Sequence, residues 1–229
     1  MRVLLIANRG DEDSGYVGDA LRERGAELVT VLREDQDHLA GPAGYDAVVS
    51  LGSEWSVYWP HVAAEVGLEV DLLRSAVGAG VPVLGICYGG QILAHALGGT
   101  VGRAATPEIG WYEVESDVPV LLPPGPYVQW HSDMFVGPPG STELARSPAG
   151  SQAFVLGCAV GLQFHPEATP AVVRRWAEGM PSDLPEGLDA AAFAAQSEAR
   201  DEEARQRART IVGTFLSGAL ADHARALSG

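Results

Sequence analysis

The sequence has 229 residues, 46% of them hydrophobic, which is enough to bury the core of one domain. Its formal net charge of −15 repels phosphate groups and argues against nucleic-acid binding. It contains no apolar run long enough to cross a bilayer, and its two cysteines are too few for a disulfide framework. We therefore expect one cytoplasmic domain over residues 1–229, with a helical C-terminal extension from about residue 179, that binds neither nucleic acid nor membrane.

The first half of the chain alternates apolar strands with amphipathic helices. The continuous apolar run at residues 3–7 is typical of a strand buried on both faces. An alternating order of strands and helices predicts a parallel sheet with crossover helices, so we expect an α/β fold with an open, mostly parallel, flavodoxin-like sheet and helices on both faces. The predicted elements are strands at 3–7, 28–32 and 46–51, and helices at 17–24 and about 61–77.

Residues 81–91 (VPVLGICYGGQ) place a thiol at the end of a buried strand. A helical apolar pattern begins just after Gln91, so Cys87 falls on the turn between strand and helix. Glycines at positions 85 and 89 suit a tight strand-to-helix turn, and the positive end of the following helix stabilises a thiolate. Cys87 is therefore a candidate nucleophile, although a lone cysteine is more often a small buried apolar residue.

A second segment, residues 161–167 (GLQFHPE), offers a base for this thiol. A short strand-like run ends at His165, and Glu167 follows two residues later. An imidazole and a carboxylate that orients it are what a cysteine nucleophile requires. The segment is far from Cys87 along the chain, so only the fold can bring the groups together.

Residues 85–91 together with His165-Pro166-Glu167 resemble the motifs of the class I (triad) glutamine amidotransferases, over roughly residues 3–176. Within that family the chain resembles the glutaminase domain of GMP synthetase. The resemblance implies that Cys87 attacks the side-chain amide of glutamine, that His165 is its general base and that Glu167 orients the histidine. It also implies the class I amidotransferase fold.

The loop after the third predicted strand departs from the family pattern. The family usually carries Gly-Gly-Pro there, and its backbone helps to form an oxyanion hole; here Gly52 is followed by Ser53 and Glu54. Ser53 keeps a backbone N–H, and the resemblance implies that the N–H of Tyr88 is the second donor. The departure concerns the geometry of the turn, while Trp55 in the same loop fits a surface position and a site position equally well.

The resemblance also implies a binding site for the amino-acid end of the substrate. Gln91 lies one helical turn after Cys87, on the same side of the helix. Residues 127–135 resemble the family's second glutamine-binding segment, in which the backbone around a His-Gly-Asp-like triplet contacts substrate. On their own, a histidine and an aspartate there are also typical of a metal site or a second catalytic pair. The implied substrate-binding residues are Gly52, Gln91, His131, Ser132 and Asp133.

The second half of the chain predicts a small antiparallel β insertion and a helical end. A strand at 108–115 is followed by proline-rich turns, and two short strands within 152–164 lead to His165. A helix is predicted at about 170–178, and one or two long helices at about 190–227. We interpret Cys158 as structural and His95 as a packed or exposed histidine, and we expect neither a metal nor a cofactor.

The resemblance therefore implies hydrolysis of the glutamine γ-amide. Since the sequence has no Gly-x-x-x-x-Gly-Lys nucleotide loop, a separate synthase or acceptor subunit would receive the ammonia. Two alternatives remain open. The same triad would serve a hydrolase of γ-glutamyl conjugates, and a regulatory or scaffold subunit could keep the fold without turnover.

Overall fold

The computed structural model describes residues 1–35 and 41–228. Its strands are β1 (Arg2–Ala7), β2 (Glu27–Leu32), β3 (Ala47–Ser50), β4 (Val83–Ile86), β5 (Thr100–Ser116), β6 (Gly125–Val136), β7 (Thr142–Ser147), β8 (Gly150–Leu156) and β9 (Ala159–Leu162). Its helices are α1 (Gly15–Arg22), α2 (Ala63–Gly78), α3 (Tyr88–Ala96), α4 (Pro170–Gly179), α5 (Ala190–Glu198), α6 (Asp201–Ser217) and α7 (Ala219–Ser228).

The strands form a sheet in the order β2-β1-β3-β4-β9-β8-β7-β5-β6. The first five are parallel neighbours, and the rest pair antiparallel. The predicted α/β fold with a parallel core and an antiparallel part is therefore confirmed. Because β9 lies beside β4, the segment after β9 meets the segment after β4 at the carboxyl edge of the sheet.

Helices cover both faces of the parallel strands. Successive residues of β1 point to opposite faces: Leu5 packs in a cluster with α1 and α6, whereas Leu4 packs in a cluster with α2 and α3. This arrangement buries both faces, which explains why the parallel strands read as continuous apolar runs. None of the helices in the described part of the chain has the length and hydropathy of a membrane-spanning segment.

The structure differs from the predicted elements at several places. The helix predicted at 61–77 begins as a 3₁₀ turn at Pro60–Val62 before α2, and β7 was not predicted. The C-terminal segment forms three helices, α5 to α7, rather than one or two. Gly218, with a left-handed φ of 73°, separates α6 from α7. Helix α6 covers the sheet face through Ile211 and Phe215, so its apolar stripe belongs to the core.

Candidate active site

Cys87 occupies a strained turn between β4 and α3. Its φ of 52° and ψ of −111° make it the one non-glycine residue with positive φ among residues 1–35 and 41–228. Such a conformation costs about 1–3 kcal/mol and persists only where the surroundings enforce it. The packing is close enough to do so, because a Cβ on Gly89 would lie 2.0 Å from the carbonyl oxygen of Ser50, and one on Gly85 2.3 Å from that of Gly89. The predicted turn therefore holds the thiol at the carboxyl edge of the sheet.

His165 and Glu167 reach the same edge from the end of β9. The backbone N–H of His165 donates to the carbonyl of Val128 at 2.9 Å, which fixes the segment against β6. Nδ1 of the imidazole lies 2.7 Å from Oε1 of Glu167. A Cβ placed on Gly52 would be 3.0 Å from Cε1 of His165 and 3.8 Å from Cβ of Cys87. The imidazole of His165 and the side chain of Cys87 thus both lie close to Gly52, where a larger residue would crowd them.

The environment of His165 favours its protonated form. Burial alone would lower the pKa of the imidazole, but the Glu167 carboxylate and the Cys87 sulfur outweigh burial and raise that pKa well above its usual value. Since Nδ1 is hydrogen-bonded to Glu167, Nε2 is the nitrogen left for proton transfer, and among the described residues it has no hydrogen-bond partner. The edge of the Trp176 ring, 4.8 Å away between centroids, helps to hold the imidazole in place.

The loop after β3 carries Gly52 and Ser53. The side chain of Ser53 turns into its own loop, where Oγ accepts a hydrogen bond of 3.1 Å from the N–H of Trp55. This capping gives the serine-containing turn a local reason to be stable. Ser53 and Cys87 line a common cavity, and Tyr88 follows Cys87 directly. Trp55 is half-buried against the cluster around α2 and α3, so it is packed as well as close to the site.

The first cavity beside Cys87 has a volume of about 170 Å³, and the predicted substrate-binding segment lines it. Nε2 of Gln91 donates to the backbone carbonyl of Asp133 at 2.9 Å and lies 3.5 Å from Oε1 of Gln163. Gln91 therefore joins α3 to β6 along one wall. The other lining residues include Ser53, Glu54, Trp130, His131, Ser132 and Asp133.

The side chains of the predicted triplet are engaged in different ways. Asp133 accepts hydrogen bonds from Oγ of Ser56 and, at 2.9 Å, from the hydroxyl of Tyr58, so it ties β6 to the loop after β3. Nε2 of His131 lies 3.1 Å from Oε2 of Glu108. Ser132 is half-buried in the cavity wall. The side chains of His131 and Asp133 are therefore held by bonds within the wall. The backbone of residues 131–133 is left to face the cavity.

A second cavity of about 280 Å³ reaches Cys87 from the side of His165. Asp11, after β1, closes part of it by accepting hydrogen bonds from Nη2 of Arg175 at 2.6 Å and from Nε1 of Trp176 at 3.0 Å. The two cavities share Ser53, Glu54, Cys87, Trp130 and Met180. A group bound to Cys87 would thus face one cavity through Gln91 and the other through His165.

The remaining candidates lie apart from this chemistry. Cys158 is half-buried with its sulfur 3.5 Å from the carbonyl oxygen of Val81, and burial raises the pKa of its thiol. His95 is exposed on α3. Among the described residues, groups of three or more His, Cys, Asp or Glu side chains arranged to hold a metal ion are absent.

Sequence reasoning missed a buried ion pair beneath the loop after β3. Arg33 follows β2, and its Nε lies 2.8 Å from Oε2 of Glu69 on α2, with both side chains 1% exposed. A signal for it exists in the sequence. Glu69 interrupts an apolar stripe formed by Val66, Val70 and Leu73 at helical spacing, and a carboxylate in such a stripe needs a buried cation.

Comparison with known proteins identifies the family of this chain. Residues 17–175 match the family model described as glutamine amidotransferase class-I. A GMP synthase (glutamine-hydrolysing) from Aeropyrum pernix is 33% identical across 96% of this chain and 48% of its own length, and one from Thermomicrobium roseum is 46% identical across 52% and 23%. The chain therefore spans about half the length of the first relative and a smaller part of the second.

Solved structures give the same result at the level of the fold. A glutamine amidotransferase from Thermotoga maritima superposes with a TM-score of 0.86 at 30% identity, covering 94% of this chain and 98% of its own. One from Methylobacillus flagellatus superposes with a TM-score of 0.82 at 25% identity, covering 95% and 94%. With the family model matched over more than half of its residues, the chain belongs to the class I glutamine amidotransferase family.

Proposed function

We propose that this chain hydrolyses the γ-amide of glutamine through Cys87, His165 and Glu167. The observation that carries the proposal is the convergence on Gly52: a Cβ there would lie within 4 Å of both the His165 ring and the Cβ of Cys87. A thiol and an imidazole that is held by a carboxylate form the arrangement used for acyl transfer. Membership of the family supports glutamine as the acyl donor.

Acylation begins when the Cys87 thiolate attacks the amide carbon. The electrons of the carbonyl move to its oxygen, which accepts hydrogen bonds from the backbone N–H groups of Ser53 and Tyr88. When the tetrahedral intermediate collapses, Nε2 of His165 gives its proton to the amide nitrogen, the C–N bond breaks and the nitrogen leaves as ammonia. The raised pKa of His165 suits this step, because it favours the protonated imidazole that acts as the acid.

Deacylation returns the enzyme to its starting state. Water attacks the γ-glutamyl thioester, and neutral His165 takes a proton from that water. The C–S bond breaks, glutamate leaves and the thiolate is regenerated. Glu167 keeps Nδ1 engaged at 2.7 Å throughout, so Nε2 stays directed at the reacting atoms.

The two cavities divide the substrate between them. The α-amino and α-carboxyl groups of glutamine fit the cavity lined by Gln91 and the backbone of residues 131–133, and the amide nitrogen leaves on the side of His165. Ammonia released there passes to a separate acceptor enzyme. The naming of its relatives as GMP synthases supports a synthase as that acceptor.

A second candidate is hydrolysis of γ-glutamyl conjugates, and the cavity on the His165 side favours it. At about 280 Å³ that cavity is larger than ammonia needs, and Trp130, Trp176 and Met180 give it apolar walls. An amine or amino acid attached to the γ-carbonyl would fit there as leaving group. The same triad steps would apply.

The test is to measure release of glutamate and ammonia from glutamine by the purified chain, beside a set of γ-glutamyl amines and peptides. Cys87→Ala should abolish release, whereas the matched Cys158→Ala should retain it. Faster turnover of conjugates than of glutamine would favour the second candidate. Absence of turnover on every substrate, with and without a synthase subunit, would leave the non-catalytic alternative.

A further inference from the structure

One guanidinium is buried beneath the proposed oxyanion loop. The side chain of Arg33 is 1% exposed and bonds to the ends of two other strands as well as to Glu69. Nη1 donates to Oδ1 of Asn8 at 2.7 Å, after β1. Nη2 donates to Oγ of Ser50 at 3.0 Å and to the carbonyl of Leu51 at 2.7 Å, at the end of β3. This arginine therefore crosses under the site from β2 to β3.

A further bond ties Arg33 to the peptide that carries the first oxyanion donor. Nη1 also donates to the carbonyl oxygen of Gly52 at 3.2 Å. That carbonyl and the N–H of Ser53 belong to one planar peptide unit and point in opposite directions. Holding the oxygen towards the buried guanidinium directs the N–H away from it. The same bond polarises the peptide unit and strengthens its N–H as a donor.

Arg33 also contacts the residue that carries the second donor. The guanidinium carbon lies 4.8 Å from the ring centroid of Tyr88, which is 1% exposed. A cation over the face of an aromatic ring is attracted to it, and burial strengthens the attraction. The ring is thereby fixed at the first position of α3, directly after Cys87. One side chain thus touches both peptide segments whose N–H groups would receive the oxyanion.

Glu69 completes the arrangement from α2. Its carboxylate balances the buried cation through Oε2 at 2.8 Å, and its Oε1 accepts a hydrogen bond of 2.6 Å from Oγ of Ser50. Four of the bonds of Arg33 and Glu69 go to the segment that ends β3. A lysine offers one small cluster of donors and cannot reproduce this planar, forked set.

From these contacts we infer that Arg33, with Glu69 as counter-ion, is a positioning residue that sets both backbone donors of the oxyanion hole. The inference rests on the proposed function, since it assumes that Ser53 and Tyr88 donate to a developing oxyanion. It also explains how the turn works without the second glycine and the proline of the usual family loop, because the turn is held from below by a side chain.

The experiment compares wild type with Arg33→Lys and with the double variant Arg33→Met/Glu69→Leu. Both variants avoid an unpaired buried carboxylate, which would threaten folding. We expect kcat for glutamine to fall on the order of 10²-fold, as for loss of an oxyanion donor, with KM little changed. Alkylation of Cys87 by iodoacetamide should keep its rate, because that displacement forms no oxyanion. Binding of a glutamine-like aldehyde, whose adduct oxygen occupies the oxyanion hole, should weaken in parallel with kcat.

The matched control is Arg24→Met, since Arg24 also donates to two backbone carbonyls, those of Ala20 and Arg209, but far from Cys87. It should leave kcat unchanged. Equal losses of kcat and alkylation rate in the Arg33 variants, or no loss of kcat, would overturn the inference. Circular dichroism and thermal melting show whether each variant has folded. If the double variant has not folded, the test rests on Arg33→Lys.

Failure of the proposed function gives a different pattern. If wild type neither hydrolyses glutamine nor binds the aldehyde, the proposed function fails. The positioning of the two backbone N–H groups by Arg33 is then tested by NMR. The amide ¹H–¹⁵N resonances of Ser53 and Tyr88 must then shift in Arg33→Lys and stay in place in Arg24→Met. Unshifted resonances would overturn the claim.

Discussion

Nδ1 of His165 and Oε1 of Glu167 lie 2.7 Å apart in a pair whose side chains are 4% and 3% exposed. A carboxylate this close and this buried stabilises the imidazolium, and with the Cys87 sulfur it outweighs the effect of burial on the pKa of His165. The pair therefore sets the tautomer of the imidazole and extends the pH range over which it is protonated.

The first prediction concerns the pH dependence of kcat/KM. Protonated His165 is the acid for the leaving group, so activity should persist at neutral pH and fall as the pH rises through the raised pKa. Glu167→Gln removes the attraction and should move this alkaline limb to lower pH. The exposed Glu178→Gln should leave the limb in place; an unshifted limb in Glu167→Gln would contradict the account.

The second prediction separates the base from its orienting carboxylate. His165→Ala removes the proton donor and acceptor and should lower kcat on the order of 10⁴-fold or more, to the level of the Cys87→Ala variant. Glu167→Gln keeps the imidazole and should cost less. Steady-state glutamate release measures both, and activity retained by His165→Ala would end the triad interpretation.

The third prediction uses the two cysteines as each other's control. A diazo-ketone analogue of glutamine should label Cys87, which faces both cavities, with one equivalent per chain. Cys158 should stay unlabelled, because burial raises the pKa of its thiol and so lowers the thiolate fraction. Peptide mass spectrometry locates the label. Similar labelling of both residues in the folded protein would remove the reason for preferring Cys87.

The fourth prediction concerns the packing that enforces the turn. Gly89→Ala places a Cβ 2.0 Å from the carbonyl oxygen of Ser50 and should lower the free energy of unfolding by about 1–3 kcal/mol, with loss of activity. Gly67→Ala is the matched control, since a Cβ there on α2 has no neighbour within 4 Å. An alanine in an exposed helix should raise the free energy of unfolding by about 0.5–1 kcal/mol. Urea unfolding measures both, and a neutral Gly89→Ala would show that the turn tolerates expansion.

The local parts of the site could be predicted from the sequence because they are contiguous. The turn at Cys87 has its strand, glycines and helix within a few residues, and Glu167 lies two residues from His165. Apolar periodicity likewise predicted the parallel strands, whose two buried faces make them continuous apolar runs.

Contacts between distant segments could not be predicted in this way. The pairing of Arg33 with Glu69 depends on the order of the strands, in which β2 lies two strands from β3. No local sequence pattern predicts that order. Strand β7 was missed because only two of its six residues are buried, so its apolar signal is weak. The break between α6 and α7 lies at one left-handed glycine, Gly218, which a helical apolar stripe does not reveal.

The last prediction concerns the acceptor enzyme. The rim of the first cavity is formed by residues 53–58 and 131–135, and Asp133 joins the two segments through Ser56 and Tyr58. Beside this rim, Tyr58 is 47% exposed and Trp59 is 36% exposed. Neighbouring exposed aromatic side chains are typical of a surface that binds another protein.

We expect weak glutaminase activity from the chain alone and a clear rise when a synthase subunit covers this rim. Enclosing the loop after β3 would improve the oxyanion geometry, so the gain should appear mainly in kcat, with KM little changed. Trp59→Ala should reduce the ratio of kcat with and without the synthase subunit. Leu227→Ser, which removes an exposed apolar side chain on α7, should leave that ratio unchanged. Fast turnover by the chain alone that no synthase subunit alters, and that is faster on γ-glutamyl conjugates than on glutamine, would contradict this prediction and favour the hydrolase.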